Sequence, residues 1–406
     1  MDRTTVMQEI RKMRFEETWN EWKKGRLTQE EAGRILGMSE RTFRRYVRRV
    51  EERGNEGLLD KRLAQASARR APVDEALALV EKYRRRHDGW NVKHFHSWYK
   101  REGGTRSYTW VKAVLQKSGA VPKAPGKGKH RKRRERAPWE GMMIHQDASR
   151  HPWVPGQIWD LVVTMDDATG RHDSMFFVPE EGTASSFRGM RELIEKKGLP
   201  SSLYTDRGSH YWTTPEAGGK VDKTNLTQFG RAMKQLGIEM IPAYSPEARG
   251  RSERAFRTHQ ERLPKELTLA GITTMEAANR YLADIYLPAF NAEFSHPAPE
   301  EGSAFIPCTG ASLDEILCEH YERIVGNDNC VSFEGQTLQI PSDRYRLHYV
   351  RATVRVHRHP DGPLSLFHGP RKLSDYPFEK PELRKTKKES RSQAPSTGIR
   401  PVEALV

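Results

Sequence analysis

The sequence predicts a multidomain chain. It has α-helical helix-turn-helix units at the N-terminus, an α/β core on a mixed sheet, and a small β-barrel at the C-terminus. Three observations carry that expectation. Capped amphipathic helical stretches fill the first 120 residues. A strand meander after Gly141 gives way to alternating helices and strands, the pattern of a mixed sheet covered by helices. Short strands then return from Cys330 at the spacing of a small barrel.

The 406 residues suffice for roughly two to four domains. Hydrophobic residues make up 36%, enough for packed cores, and charged residues 30%. The net charge of +15 favours a polyanionic partner. The basic residues are clustered, which points to nucleic acid, with a merely basic surface as the plainer alternative. Cys308, Cys318 and Cys330 are odd in number, form no CxxC pair, and have no His-rich pattern nearby. They read as free thiols in a reducing compartment rather than a disulfide framework or a zinc site. The opening residues lack an apolar signal core, and no run approaches the ~18 apolar residues of a membrane span. A cytoplasmic protein, associated with the nucleoid of a bacterium, is the expectation.

The N-terminal domain is expected over residues 1–62. Residues 7–25 have helical spacing through Ile10, Met13, Trp19 and Trp22. Thr28 is the N-cap of the next helix, with Glu31 three residues on as in a capping box. Ala32, Ile35 and Leu36 mark its apolar positions, and Gly37 can take the left-handed conformation that ends it. Ser39 then caps a helix anchored by Phe43, Tyr46, Val47 and Val50. Helix, short glycine turn, helix is the helix-turn-helix plan. A second such unit is expected over 63–120, from helices at 73–87, 91–101 and 107–117, the last capped by Ser107. Residues 121–138 are rich in Pro, Gly and basic side chains and read as a flexible linker.

The core is expected over 139–300. Met142–Asp147 is a short strand. Ile158–Asp166 and Ser174–Val178 form a hairpin about the turn at Asp167-Ala168-Thr169-Gly170. Helices at 184–197, 227–236 and 251–263 alternate with strands Ser202–Asp206 and Ile238–Pro242, and a further helix covers 275–290. The barrel is expected over 301–380, from strands Cys330–Phe333, Thr337–Ile340, Ala352–Arg358, Leu364–Phe367 and Lys372–Tyr376. Residues 381–406 are charged and Ser/Pro-rich, a disordered composition.

Three acids sit at the ends of core elements. Asp147 closes the first predicted strand in HQDAS, Asp206 a later one in YTDRGSHY, and Glu253 opens a helix in SPEARGRSERAF. Such a cluster repels itself unless cations neutralise it. Hard oxygen ligands suit Mg²⁺ or Mn²⁺, and two such ions about 4 Å apart can clamp the attacking and leaving oxygens of a phosphodiester. Each acid also has a plainer reading, as a turn former or a helix-start charge. Asp160, Asp166 and Asp167 compete for the first position, and Asp147 is preferred because it alone ends the opening strand.

The wording around the acids then counts. TDRGSHY resembles the TDxGSxF/Y strand end of retroviral-type integrases, and SPEARGRSERAFRTHQERL resembles the helix that carries their last acid. With HQDAS and the DDATG hairpin, the core resembles a DDE transposase of the RNase H-like superfamily. It is similar to bacterial insertion-sequence transposases of the ISNCY group over roughly residues 25–376. The resemblance implies that Asp147, Asp206 and Glu253 are the catalytic, metal-holding residues, with two Mg²⁺ or Mn²⁺ ions as cofactor. It implies hydrolysis at an element's end, freeing a 3′-OH, then in-line attack of that hydroxyl on target DNA. It also implies a homo-oligomer in a synaptic complex on double-stranded DNA. One departure is the long insertion SHYWTTPEAGGKVDKTNL between Asp206 and the next helix. It leaves Tyr211 and Trp212 either exposed for base stacking or pinning the loop.

For DNA contact, the first unit offers Ser39, Arg41, Thr42, Arg44, Arg45 and Arg48 on its second helix. The second unit offers Arg106, Tyr108, Thr109 and Lys112. Lys129, Arg131, Lys132, Arg133 and Arg134 in the linker can track phosphate without sequence choice. Arg249 and Arg257 flank Glu253, and His210 lies near Asp206 as a packing or phosphate-orienting group. Two alternatives stay open: a DNA-binding regulator with an inactive core, and a nuclease that cuts without joining.

Overall fold

The computed structural model describes residues 3–59, 71–123, 135–216, 219–244, 250–310, 312–360 and 362–377. It divides into two compact units, at Lys123 and Ala124. The basic linker cations Lys129 and Arg131–Arg134, Arg249, and the tail after 377 lie outside the described residues.

In the first unit, α1 (Arg3–Lys23), α2 (Gln29–Leu36) and α3 (Glu40–Arg53) enclose a small core of Phe15, Ala32, Phe43, Val47 and Val50. The capping box forms: the Thr28 hydroxyl accepts from the Glu31 amide at 3.2 Å, and the Glu31 carboxylate accepts from the Thr28 amide at 2.8 Å. Gly37 sits at φ +68°, the left-handed cap that turns the chain into α3, and Ser39 accepts from the Thr42 amide. Ile35 departs from its expected place: it is 63% exposed, because Ala32 and Leu36 take the buried side of this two-turn helix. Three more helices follow: α4 (Val73–Arg86), α5 (Val92–Arg101) and α6 (Tyr108–Lys117). Tyr83, Phe95, Trp98, Val111 and Leu115 are buried among them, and Asn91 and Ser107 cap α5 and α6.

The second unit is built on a five-stranded sheet of order β3-β2-β1-β4-β5. Its strands are β1 (Ile144–Val154), β2 (Gln157–Asp166), β3 (His172–Val178), β4 (Ser202–Thr205) and β5 (Glu239–Pro242). The first three form an antiparallel meander, while β4 and β5 run parallel to β1, so the mixed sheet is as expected. One face carries α7 (Thr183–Lys197) and α8 (Gln228–Gln235), whose Phe187, Met190, Leu193, Phe229 and Met233 pack with Ile144 and Leu203. The other face carries α9 (Gly250–Leu269), α10 (Met275–Tyr281), a π-helical turn (Leu282–Tyr286) and α11 (Leu287–Phe294). Phe256, Leu263, Leu267, Leu282 and Phe290 pack there on Leu161, Val163, Met175 and Phe177.

Three expectations need correction. The first strand does not end at Asp147 but continues to Val154, because its partner β2 is long enough to pair with it throughout. Helix α9 does not stop before Pro264 but continues to Leu269. Burial of Leu263 and Leu267 on the sheet outweighs the hydrogen bond the proline cannot make. The C-terminal strands do not close a barrel among the described residues. After the short α12 (Leu313–Ile316) come β6 (Glu319–Ile324), β7 (Cys330–Phe333), β8 (Gln336–Gln339), β9 (Thr353–Arg358), β10 (Leu364–His368) and β11 (Arg371–Tyr376). They make an open four-stranded sheet, β11-β10-β9-β6, and a separate β7-β8 hairpin. Val331, Phe333, Leu338, Val354, Val356, Leu364 and Leu366 fill the space between them, so burial is achieved by packing without closure of the ladder. Strand β6 was not foreseen: EHYERI carries three charges in six residues and looks like a surface loop.

Candidate active site

The position of Asp147 follows from sheet register. His145, Asp147 and Ser149 pair across with Met165, Val163 and Leu161, so all lie on the face covered by α9. On the other side, His145 pairs with Tyr204 of β4. Extending that parallel register by two residues sets Asp206 abreast of Asp147. The short β4 ends at Thr205, so the two acids flank the point where the sheet opens. The Asp206 carboxylate accepts from the Gly208 amide at 2.9 Å, which fixes the turn after the strand. Asp147 accepts from the Ala148 amide, also at 2.9 Å.

Helix α9 brings the third acid. Near its start Arg251 is ion-paired with Asp167, which also binds His145 Nε2 at 2.7 Å. Farther along, Gln260 Nε2 donates to Ser149 Oγ at 2.9 Å. These two pins lay the helix along β1, and Glu253 falls between them in the first turn. Glu253 and Gln260 are seven residues apart, hence on one helix face. Glu253 is exposed.

The surroundings of Tyr211 link the two aspartates. Burial, then the charges of Glu181, Asp147 and Asp206, push its hydroxyl well above its ordinary value, against the hydrogen bond from Ser186. Both aspartates therefore act on one buried oxygen, which also lies 3.2 Å from Gln146 Oε1. The three acids do not bring their oxygens within 4.8 Å of one another as a set. Repulsion between like charges favours such separation. Carboxylates are the hard oxygen donors that suit Mg²⁺ or Mn²⁺.

The competing acids are engaged elsewhere. Asp166 is fully buried and accepts from the Gly141 and Thr169 amides, which builds the hairpin turn. Asp167 sits in a buried ion cluster. Burial alone would raise its carboxyl, but His145, the Ala137 amide and Arg251 reverse this and hold it well below the carboxylate range. Asp160 accepts from the Glu181 amide at 2.8 Å and faces Arg150. No local signal marks the Arg251–Asp167–His145 cluster, because its members come from three separate segments.

The insertion after Asp206 does not present aromatic rings to solvent. Tyr211 and Trp212 are 1% and 5% exposed, within the core under α7 and α8, and Trp212 Nε1 donates to Thr205 Oγ1. They pin the loop. His210 packs on Tyr211 with ring centroids 3.9 Å apart and planes tilted by 46°, and its Nε2 lies 3.4 Å from Glu181.

Among the DNA-contact candidates, Arg41, Arg45 and Arg48 are exposed along α3, opposite Phe43, Val47 and Val50. Ser39 and Thr42 are committed to the helix cap. Arg44 is ion-paired with Glu40 and hydrogen-bonded to Gln29. In the second helical set Arg106 makes a two-pronged ion pair with Glu75 and lies over Trp110, an internal tie. Tyr108 and Thr109 are exposed and Lys112 half-buried. Arg257 is exposed one turn beyond Glu253.

The chain thus has a helix-turn-helix among its first helices and a mixed sheet with acidic residues on its α9-covered face. A family model described as a helix-turn-helix domain matches residues 20–65. Transposase y4bF of Sinorhizobium fredii is 29% identical over 353 residues, covering 84% of this chain and 75% of the relative. The transposase for insertion sequence IS1202 of Streptococcus pneumoniae is 26% identical over 367 residues, covering 81% and 78%. The chain is a homologue of these bacterial transposases over most of its length. Among solved structures, a chain of the simian T-cell lymphotropic virus intasome overlaps 74% of this chain and 96% of its own, at 14% identity and TM-score 0.33. The HTLV-2 integrase catalytic core in complex with magnesium overlaps 36% and 85%, at 15% identity and TM-score 0.28. The assignment rests on the two sequence relatives. No helix among the described residues is long and apolar enough to cross a membrane.

Proposed function

We propose that this chain is a DNA transposase whose Asp147, Asp206 and Glu253 form a DDE site for hydrolysis and strand transfer at the ends of an insertion element. The observation that carries the reading is the shared register of Asp147 and Asp206 on the face along which α9 is pinned, with Glu253 between the two pins. Two Mg²⁺ or Mn²⁺ ions held there would stabilise negative charge on the attacking and leaving oxygens of the phosphodiester. The rest falls to the chain's own residues. The Gly208 amide orients the Asp206 carboxylate. The Arg251 and Gln260 contacts keep Glu253 alongside the sheet. Arg257, exposed on the same helix, grips a DNA phosphate beside the reacting bond.

The exposed arginines of α3 read the element's end, and the synaptic complex holds at least two copies of the chain. That two ends must be joined to one target supports the second statement.

The test is a strand-transfer assay on a pre-cut element end with Mg²⁺ or Mn²⁺. Asp147→Asn, Asp206→Asn and Glu253→Gln should each lose joining by several orders of magnitude while still binding the end. Asp160→Asn should keep it. Equal joining by wild type and Glu253→Gln would remove Glu253 from the site. Tight binding without cutting under either metal would favour a regulator, and cutting without joining a nuclease.

A further inference from the structure

Cys318 and His320 precede and open β6, and His357 and His359 close β9. The two strands are antiparallel neighbours, with His320 paired to His357 and Glu319 to Arg358. The same register sets Cys318 opposite His359. A C-x-H segment thus lies against an H-x-H segment, with all four thiol and imidazole side chains on one face of the ribbon. The Cys318 sulfur and one ring nitrogen each of His320 and His357 lie within 4.8 Å of one another.

The hydrogen bonds around the cluster leave ligand lone pairs unused. His320 Nε2 lies 2.8 Å from the Glu315 carbonyl, an acceptor only, so Nε2 carries the proton and Nδ1 the lone pair. Ser365 donates its hydroxyl to Asp375, so the His359 Nε2 at 2.9 Å from Ser365 Oγ must donate to it, again leaving Nδ1 as the lone pair. Histidines that bind metals characteristically donate their other ring N–H to such a partner. His357 is 4% exposed, and neither of its ring nitrogens has a hydrogen-bond partner among the described residues. A buried imidazole with both nitrogens unsatisfied is costly, and a bound cation would satisfy one of them.

We propose that Cys318, His320 and His357, with His359 in the fourth position, bind a zinc-like divalent cation. Thiolate and imidazole donors select a borderline-soft ion, unlike the carboxylates of the Asp147 site. Bonds of about 2.0–2.3 Å in a tetrahedral shell need donor atoms roughly 3.3–3.7 Å apart, so the cluster contracts on loading. The His320 and His357 rings are stacked with centroids 3.8 Å apart and planes within 7° of parallel. One ring must tilt: His320 is held by its Glu315 hydrogen bond, whereas His357 makes none among the described residues but has Phe367 stacked on it at 4.1 Å, so its tilt also shifts Phe367. The thiol proton now directed at the Glu315 carbonyl is released as the Cys318–metal bond forms.

The place of the site gives it a role. Gln228 of α8 exchanges two hydrogen bonds with the backbone of His320, and Arg231 donates to the carbonyls of Ile316 and Cys318. A metal here clasps β6 to β9 where the C-terminal sheet joins the catalytic core. The Arg231 charge opposes the cation but favours the thiolate that binds it. The proposal does not depend on the transposase reading.

The experiment titrates Co²⁺ into the chelator-stripped full-length protein and follows thiolate-to-cobalt charge-transfer absorption, which carboxylate-bound cobalt does not give. One equivalent should produce the band, and one equivalent of Zn²⁺ should bleach it. Cys318→Ser should abolish it, and His357→Phe, which keeps the stacked ring, should weaken cobalt binding at least tenfold. Asp147→Asn should leave it unchanged. Absence of the band in wild type, or its persistence in Cys318→Ser, overturns the proposal. If a variant fails to fold by circular dichroism, the wild-type titration decides alone.

Discussion

At the scale of single residues, the acids of the core divide by what they accept. Asp166 and Asp167 were legible as a turn, and that is their work. Asp147 was legible as the last residue of a strand but not as a residue in its middle, since strand length depends on the partner strand and not on local wording. For Tyr211 and Trp212 the sequence left exposure and loop-pinning both open, because a Gly- and Pro-rich neighbourhood reads as loop either way; both rings fill the core and pin it. Asp167 gives a direct prediction. Asp167→Asn removes the buried counter-charge of Arg251 and the carboxylate partner of His145, and should cost on the order of 3 kcal/mol in chemical denaturation at neutral pH. The sign follows from its depressed carboxyl. The contribution is present above the unfolded-state value of about 3.9 and is lost as pH falls through the lower folded value. Parent and variant should therefore converge only in strong acid. A variant as stable as the parent at pH 7 would show that the cluster does not hold α9 to the sheet.

At the scale of elements, α2 and α3 were readable almost residue by residue, because caps, glycine and helical spacing are local signals. What was not readable is which cations are free. Arg41, Arg45 and Arg48 lie in one exposed stripe, whereas Arg44 is already bound to Glu40 and Gln29. Arg45→Ala should weaken binding to an element end by roughly tenfold and lower the salt dependence of log K by about one phosphate contact. Arg44→Ala should do distinctly less. Fluorescence anisotropy across a salt series separates the two, and equal losses would mean that the Arg44 pair opens on DNA. Helix α9 teaches the converse lesson. Pro264 is a local stop signal, and tertiary burial of Leu263 and Leu267 carries the helix past it.

At the scale of the whole molecule, a chain of neutral side chains ties the sheet to the helices that cover one of its faces. Tyr286 lies 3.0 Å from His259 Nδ1, His259 Nε2 lies 3.0 Å from His172 Nε2, and His172 Nδ1 lies 3.2 Å from the Gly170 carbonyl. The carbonyl can only accept, so His172 donates from Nδ1, His259 donates to His172, and Tyr286 donates to His259. Burial lowers His172 to about 4 and carries His259 well below its ordinary value, with His172 and Arg262 adding to the latter. A lowered histidine contributes stability above the unfolded value of about 6.5 and loses it as pH falls toward the folded value. For His172 alone this is on the order of 3 kcal/mol between pH 6.5 and 4. Asp173, raised to about 6 by burial, acts with the opposite sign in the same window. The test is therefore the difference between wild type and a His172→Phe, His259→Phe double variant, whose unfolding free energy should fall less between pH 6.5 and 4. Parallel curves would mean that the histidines titrate no differently once unfolded.

The sequence by itself determined the helix-turn-helix start, the order of strands and helices in the core, and the identities of Asp147, Asp206 and Glu253 as candidates. Caps, turns and periodicity act over a few residues and are written locally. Only the tertiary structure decided that the C-terminal strands stay open among the described residues, that β1 and β4 run parallel in a register whose continuation sets Asp206 abreast of Asp147, and that Cys318 and His320 meet His357. Those outcomes depend on which strand pairs with which, a choice made by burial across long stretches of chain that no neighbouring residue records.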